Sequence, residues 1–126
     1  MTVEKLPLLI IEDEPSVQVF LRTALERDGF RTVVAASGTE GLRLLQQQNF
    51  GGVISDMRTP GSVNGGDVHS WLASNRPELV SKMLFITGDI VNEETTEILR
   101  KTGVPCIEKP FRVHELLAAV KQVIGN

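Results

Sequence analysis

Four short apolar runs in this sequence are each followed at once by polar residues that could take part in chemistry. In chain order, these polar residues are Glu12-Asp13-Glu14, Asp56, Thr87-Gly88-Asp89 and Lys109-Pro110. If the runs are parallel strands of one sheet, their carboxyl ends lie at the same edge, which is where ligands bind in open α/β sheets. The sequence therefore offers carboxylates, a hydroxyl and an ammonium group to a single site.

The carboxylates Glu12, Asp13 and Asp56 would converge if the first and third runs are neighbouring strands. Carboxylates packed together repel one another, and their pKa values rise unless a cation neutralises them. Mg²⁺ is the natural cation, because it prefers oxygen ligands, uses few protein carboxylates and keeps several water molecules. It would leave positions open for phosphoryl oxygens. Mn²⁺ is the alternative ion.

Lys109 and Thr87 add a charge and a hydroxyl to this candidate site. Lysine is a compact positive charge that can pair with Asp56 or with a phosphoryl oxygen, and the threonine hydroxyl can hydrogen-bond the same oxygens. Each feature alone has an ordinary explanation, since an acidic pair after a strand is often a solvated turn or a helix N-terminal charge. Their coincidence at four strand ends favours a carboxylate that accepts a phosphoryl group as an acyl phosphate.

Five strands that alternate with five helices must position these residues. The strand candidates are short, rich in Val, Ile or Leu and without strict polar alternation, which is typical of strands buried on both faces of a parallel sheet. They are Leu8–Ile11, Thr32–Ala35, Gly52–Ser55, Met83–Ile86 and Val104–Ile107.

Amphipathic segments between the strands predict the helices, because their apolar residues recur at helical spacing and capping residues flank them. The boundary residues are Pro15 and Gly29 for the first helix, Ser37 for the second, Pro77 for the end of the third, Asn92 and Gly103 for the fourth, and Val113 and Ile124 for the fifth. Ser37 with Glu40 fits a capping box. Trp71 is expected on the apolar face of the third helix, and His69 and His114 are expected on helix surfaces.

This alternation means β-α-β units with right-handed crossovers. We therefore predict an α/β fold, a single doubly wound (βα)5 domain with a five-stranded parallel sheet over residues 1–126. The length supports one domain, because two halves of this chain would each be too small to bury a secure core.

Composition excludes several other classes of protein. Lys plus Arg is 13 and Asp plus Glu is 16, so the net charge of −3 gives no support for direct nucleic-acid binding. Cys106 is the one cysteine, which excludes an internal disulfide. The longest apolar stretch, Leu6 to Ile11, is far too short to span a bilayer, and residues 1–6 carry no signal-peptide pattern. We expect a cytoplasmic protein without membrane insertion.

The sequence resembles the receiver domain of two-component response regulators over nearly its whole length. The matching segments are Leu8–Glu14, Val53–Pro60, Phe85–Gly88 and Ile107–Phe111. Together these segments are highly specific, although each alone is not. The resemblance implies the flavodoxin-like strand order 2-1-3-4-5. Residues 87–89 and 108–111 look most like receivers attached to hybrid sensor histidine kinases.

The resemblance also implies roles for the acidic residues. Asp56 looks like the phosphoacceptor. Glu12, Asp13 and Asp56 look like the side-chain ligands of Mg²⁺, with the backbone carbonyl of Arg58 as a further ligand.

Two other matched residues would contact the phosphoryl group. Thr87 looks like the hydroxyl that follows the phosphoryl group when it arrives, and Lys109 looks like the residue that contacts its oxygens. By the same resemblance, the Lys109–Pro110 peptide bond should be cis.

The sequence departs from the family pattern at three places, one of which is Gly88-Asp89 after Thr87, which gives that loop extra backbone freedom. Glu12 stands where the family more often has Asp, and its longer arm could reach the ion through water. The switch position on the fifth strand, usually Tyr or Phe, is Cys106. The chain has no tyrosine, so the usual coupling of an aromatic rotamer to Thr87 cannot operate as such.

The resemblance implies a phosphoacceptor module that takes a phosphoryl group from a sensor histidine kinase or a histidine phosphotransfer protein. Phosphorylation then shifts a two-state equilibrium and switches partner binding. Such a module takes part in its own phosphorylation and dephosphorylation but is not a turnover enzyme. A homodimer through the fourth helix, fifth strand and fifth helix is a further expectation.

Three other functions remain as alternatives. An aspartate-nucleophile phosphohydrolase needs an acid two residues after its nucleophile, where this chain has Arg58. A flavodoxin-like cofactor binder needs a phosphate-binding loop after the first strand, where Glu12-Asp13-Glu14 would repel phosphate. The third alternative is a phosphorylation-independent interaction module with an idle acidic pocket.

Overall fold

The computed structural model describes residues 5–58 and 61–125. Its strands are β1 (Leu8–Ile11), β2 (Thr32–Ala35), β3 (Gly52–Asp56), β4 (Met83–Thr87) and β5 (Cys106–Glu108). All adjacent pairs are parallel, and the sheet order is β2-β1-β3-β4-β5. The α/β fold class and the strand order 2-1-3-4-5 are confirmed.

A helix follows each strand, as predicted. They are α1 (Pro15–Arg27), α2 (Gly38–Gln47), α3 (Gly65–Asn75), α4 (Glu93–Thr102) and α5 (Val113–Val123), and a 3-10 helix, Pro77–Lys82, leads from α3 into β4. Among the described residues, no helix is both long enough and apolar enough to cross a membrane.

Strand side chains alternate between two hydrophobic cores, one on each face of the sheet. Leu9 and Phe85 belong to the core that also includes residues of α2 and α3, whereas Ile10 and Ile86 belong to the core shared with α1 and α5. Residues on successive strand positions point to opposite faces, so both faces need apolar side chains. This requirement explains why the strands read as continuous apolar runs.

Four strand boundaries differ from the sequence prediction, and one of them is the end of β5 at Glu108, one residue after the predicted end. Strands β3 and β4 each continue one residue further, because Asp56 pairs with Ile86 and Thr87 pairs with Glu108. Strand β5 begins at Cys106, two residues after the predicted start. Its predecessor Pro105 has no N–H to donate to a ladder. The polar site residues Asp56 and Thr87 are therefore the last residues of rigid strands.

The helix ends follow the predicted capping residues with one change of detail. Ser37 accepts a hydrogen bond from the Glu40 N–H at 3.1 Å, but the Glu40 carboxylate accepts from the Ala36 N–H at 2.9 Å, one residue before the expected partner. Asn92 caps α4, and Gly103 ends it with φ of 67°, a conformation that favours glycine.

His69 was predicted to lie on a helix surface, and this prediction is wrong. Its side chain is half-buried in α3, and Nε2 is buried with no hydrogen-bond partner among the described residues. His114 is exposed as expected, and Trp71 is half-buried against the core.

Candidate functional site

The candidate site lies at the carboxyl edge of the sheet. Glu12 directly follows β1, Asp56 ends β3 and Thr87 ends β4. The parallel pairing of β1, β3, β4 and β5 places these strand ends beside one another. Lys109 follows β5, so every predicted polar group lies at the carboxyl edge of the sheet, where open α/β folds bind ligands.

The structure brings the three predicted carboxylates together. One oxygen each of Glu12, Asp13 and Asp56 lies within 4.8 Å of the other two. Glu12 is completely buried and Asp56 is 7% exposed, whereas Asp13 is open to solvent. Oxygen donors at this spacing, two of them withdrawn from water, suit a hard divalent cation.

Lys109 is the cation that the protein itself supplies to this cluster. Its Nζ lies 2.8 Å from Oδ2 of Asp56, 2.9 Å from Oε1 of Glu12 and 3.6 Å from Oε1 of Glu14. Burial works against the charged ammonium, yet the hydrogen bonds to Asp56 and Glu12 raise the pKa of Lys109. The lysine is therefore charged throughout the neutral range and partly compensates the carboxylates.

Glu12 has all its polar groups engaged. Its carboxylate accepts from Lys109 and, through Oε2, from the backbone N–H of Glu14 at 2.9 Å. Its own N–H donates to the Ala35 carbonyl at 2.9 Å. Burial raises the pKa of Glu12, and the charge on Asp56 adds to this, although the two donors oppose it. The longer arm of Glu12 thus ends in an internal ion pair.

Gln18 is a site residue that sequence reasoning missed. It lies in α1, and its side-chain Nε2 donates to the backbone carbonyl of Glu12 at 2.6 Å. The helical spacing that located α1 concerns apolar residues, so it carries no signal for this polar contact.

Asp56 is held by the backbone of its own loop as well as by Lys109. The Arg58 N–H donates to Oδ1 of Asp56 at 3.1 Å, and the Arg58 side chain is exposed. The metal-ligand role of the Arg58 carbonyl stays a prediction. Thr59 and Pro60, which end this matched segment, lie outside the described residues.

Thr87 is buried, and its hydroxyl accepts from the Asp89 N–H at 3.1 Å. Its backbone carbonyl accepts from the Lys109 N–H at 2.7 Å, which ties the ends of β4 and β5 together. The Lys109–Pro110 peptide bond is cis, as predicted.

Cys106, at the predicted switch position, pairs with Phe85 across β4 and β5 and is half-buried. Burial raises the pKa of its thiol to about 11, and the negative charges of Glu108 and Asp56 add to the effect. The side chain is therefore a neutral thiol at neutral pH, without the thiolate that thiol reactivity requires.

Two hydrogen bonds of the loop after Asp56 were not predicted from the sequence. One joins the two ends of the loop, and the other joins the loop to α4. The Gly65 N–H donates to the Met57 carbonyl at 3.0 Å. Asn64 caps α3 in a reciprocal capping box with Asp67, and its Nδ2 donates to Oε1 of Glu94 at 3.1 Å. A side chain of the loop between β3 and α3 thus contacts the first turn of α4.

Comparison with known proteins places this site in a family context. The sequence profile of the response regulator receiver domain matches residues 8–121. Transcriptional regulatory protein YxdJ of Bacillus subtilis is 28% identical over 117 residues, which cover 93% of this chain and 49% of that protein.

Two solved structures show the same fold. The signal receiver domain of a signal transduction histidine kinase from Syntrophus aciditrophicus is 26% identical, with a TM-score of 0.82, covering 94% of this chain and 89% of that one. The receiver domain of a sensor histidine kinase from Pseudomonas aeruginosa has a TM-score of 0.83 at 21% identity, covering 98% of this chain and 100% of that one. The latter structure holds a magnesium ion in its active site cleft.

Curated relatives are longer than this chain. The chain spans 24% of the putative response regulator NtrX-like of Rickettsia conorii and 53% of the probable transcriptional regulator ycf29 of Pyropia yezoensis.

Proposed function

Because the chain belongs to the response regulator receiver domain family of two-component systems, we propose that it is a phosphoacceptor signalling module and that Asp56 carries the phosphoryl group. One observation supports this above the others. The Asp56 carboxylate ends a buried strand, lies 2.8 Å from Lys109 and shares a cluster with Glu12 and Asp13.

Glu12, Asp13 and Asp56, with the backbone carbonyl of Arg58, would hold Mg²⁺, with Mn²⁺ as the alternative. The fit rests on the donor set, since the cluster consists of carboxylate oxygens and is rich in negative charge. When bound, the ion neutralises negative charge on the cluster and on the incoming phosphoryl group. The magnesium-bound receiver domain from Pseudomonas aeruginosa supports this choice of ion.

The residues of the chain would divide the transfer reaction among them. A carboxylate oxygen of Asp56 attacks the phosphorus of a phosphohistidine, so that an O–P bond forms while the N–P bond breaks. The histidine nitrogen leaves with the bonding electron pair. Lys109 offsets charge on the phosphoryl oxygens, and the Thr87 hydroxyl donates to one of them once it turns from Asp89.

The phosphoryl donor would be a sensor histidine kinase or a histidine phosphotransfer protein. Neighbours from histidine kinases support this class of partner. In this proposal the chain accelerates its own phosphorylation and dephosphorylation and is not a turnover enzyme. A homodimer through α4, β5 and α5 remains part of the proposal, as does a cytoplasmic location without direct nucleic-acid binding.

A phosphorylation-independent interaction module is the second candidate. The observation that favours it is the ion pair of Lys109 with Glu12 at 2.9 Å, which compensates part of the negative charge of the acidic cluster internally. Cys106 favours it too, because the aromatic switch residue of the family is absent.

Intact mass spectrometry after incubation with acetyl phosphate and Mg²⁺ separates the two candidates. The proposal expects one phosphoryl adduct that requires Mg²⁺ and is lost in Asp56→Asn but retained in the matched surface variant Asp28→Asn. Beryllofluoride binding, followed by NMR, covers the case of rapid adduct hydrolysis. If the wild-type protein forms no adduct and also binds no beryllofluoride, the result supports the interaction module instead.

A further inference from the structure

We propose that Gln18 is a positioning residue for the acidic site, which acts by fixing the Glu12–Asp13 peptide and thereby the direction of the Asp13 carboxylate. The proposal rests on the divalent cation of the proposed function. It assigns to α1 a part in building the metal site, in addition to its part in the core.

The Gln18 side-chain amide donates to a backbone carbonyl that lies beyond the end of the strand ladder, where the sheet supplies no donor. The register of β1 with β3 ends at Ile11 and Ser55, so the Glu12 carbonyl lies beyond the strand. The Gln18 Nε2 donates to this carbonyl at 2.6 Å in a partly buried position. The Gln18 backbone N–H also donates to the Glu14 carbonyl at 3.0 Å, so both ends of the residue are tied to the same acidic loop.

This bond matters most for Asp13, whose carboxylate receives no hydrogen bond from the described residues. Among residues 5–58 and 61–125, none donates a hydrogen bond to the Asp13 carboxylate, whereas Glu12 and Asp56 are both held by Lys109. The Glu12–Asp13 peptide is a rigid plane. Fixing its carbonyl oxygen therefore limits where the Asp13 α-carbon, and with it the carboxylate, can lie.

A merely structural role predicts a different outcome. If Gln18 only anchors the start of α1, its loss lowers stability without a specific effect on metal binding. A positioning residue changes the affinity for the ion, because misplaced ligands must be reordered when the ion binds. Residues that orient metal ligands commonly change affinity in this way.

Isothermal titration calorimetry of the full chain with Mg²⁺ tests the proposal in Gln18→Met, which keeps the size of the side chain and removes the donor. We expect the Kd for Mg²⁺ to rise about tenfold. The matched control is Gln46→Met, because Gln46 Nε2 donates to the Leu42 carbonyl at 3.2 Å from an exposed position on α2. Its Kd should equal that of the wild-type protein. If Gln18→Met does not fold, Gln18→Asn withdraws the amide by one methylene and should raise the Kd in the same direction.

Phosphorylation by acetyl phosphate supplies the second measurement. In Gln18→Met, the half-saturating Mg²⁺ concentration should rise with the Kd, while the rate at saturating Mg²⁺ is retained. An unchanged Kd in a folded Gln18 variant, with wild-type binding and phosphorylation intact, overturns this inference alone. A wild-type protein that neither binds Mg²⁺ nor forms the adduct overturns the proposed function together with it.

Discussion

Lys109 Nζ lies 2.8 Å from Oδ2 of Asp56, although 53 residues separate the two in the chain. The same ammonium group lies 2.9 Å from Oε1 of the fully buried Glu12. The protein therefore supplies a counter-ion of its own to this site. Any divalent cation that binds here joins a cluster whose charge is already partly compensated, and Lys109 stabilises the fold as well as the site.

The variant Lys109→Met should destabilise the metal-free protein near neutral pH by about 3 kcal/mol, because it leaves buried carboxylates without a partner. Losing this cation raises the folded-state pKa of Glu12, which burial already raises. The folded state then binds more protons than the unfolded state. The free energy of unfolding should consequently increase as the pH falls from about 7 towards 5.

Urea unfolding in the presence of a chelator measures this effect. Lys101→Met is the matched control, because Lys101 is exposed and its ion pair with Glu97 is 3.7 Å long. Its stability should stay within about 0.5 kcal/mol of the wild-type value. A Lys109→Met protein whose stability falls on acidification in this range would contradict the prediction. In the wild-type protein, the raised pKa of Lys109 means that its contribution is present below the ordinary value of 10.5 and is lost at more alkaline pH.

The sequence predicted the α/β fold and the strand ends for one physical reason, whereas the strand order, on which the meeting of the acidic residues depends, came from the family resemblance. Buried parallel strands must be apolar on both faces, so the polar residues that follow them mark the strand ends. Asp56 and Thr87 were placed correctly relative to each other by this rule, together with the strand order. Strands β3, β4 and β5 each end one residue later than predicted, because ladder pairing continues beyond the apolar run, and β5 begins two residues later than predicted.

Contacts between side chains and distant backbone could not be predicted in this way. Gln18 reaches the Glu12 carbonyl, and Asn64 reaches Glu94 on another helix. Both contacts depend on where two elements lie in space and not on periodicity. His69 was misplaced for a related reason, since a polar residue on α3 was assumed to face solvent, whereas its Nε2 is buried.

Gly65→Ala should destabilise the protein by about 1–3 kcal/mol, because α3 begins in close contact with the sheet. A β-carbon at this position would lie 2.9 Å from Cε1 of Phe85 and 3.3 Å from Cα of Met57. Phe85 is completely buried, so its ring has little room to move. Gly88→Ala is the control, because a β-carbon there meets nothing within 4 Å. Equal urea midpoints for the two variants would show that the α3 contact is not tight.

Asn64→Ala should lower the free energy of unfolding by about 1 kcal/mol through loss of the α3 N-cap. The side chain accepts from the Asp67 N–H at 2.9 Å and donates to Glu94 at 3.1 Å. Asn75→Ala serves as the control, since Asn75 donates only to the Trp71 carbonyl from an exposed position. A double-mutant cycle with Glu94→Ala isolates the bond between the loop and α4. Additivity of the two variants would show that this bond carries no coupling.

Cys106 should react slowly with a disulfide reagent in the native protein. Burial, with the charges of Glu108 and Asp56, raises the pKa of the thiol from its ordinary value of 9.0 to about 11. The thiolate fraction near neutral pH is then about 100-fold lower than in an unfolded chain. The signal is unambiguous, since the chain contains one cysteine. Stopped-flow measurement of the labelling rate in buffer and in urea compares the native and the unfolded protein. Glu108→Gln should speed the labelling of the native protein, whereas the control variant Glu78→Gln should not. Native labelling as fast as in urea would contradict the assignment of Cys106 as an inert, neutral side chain at the switch position.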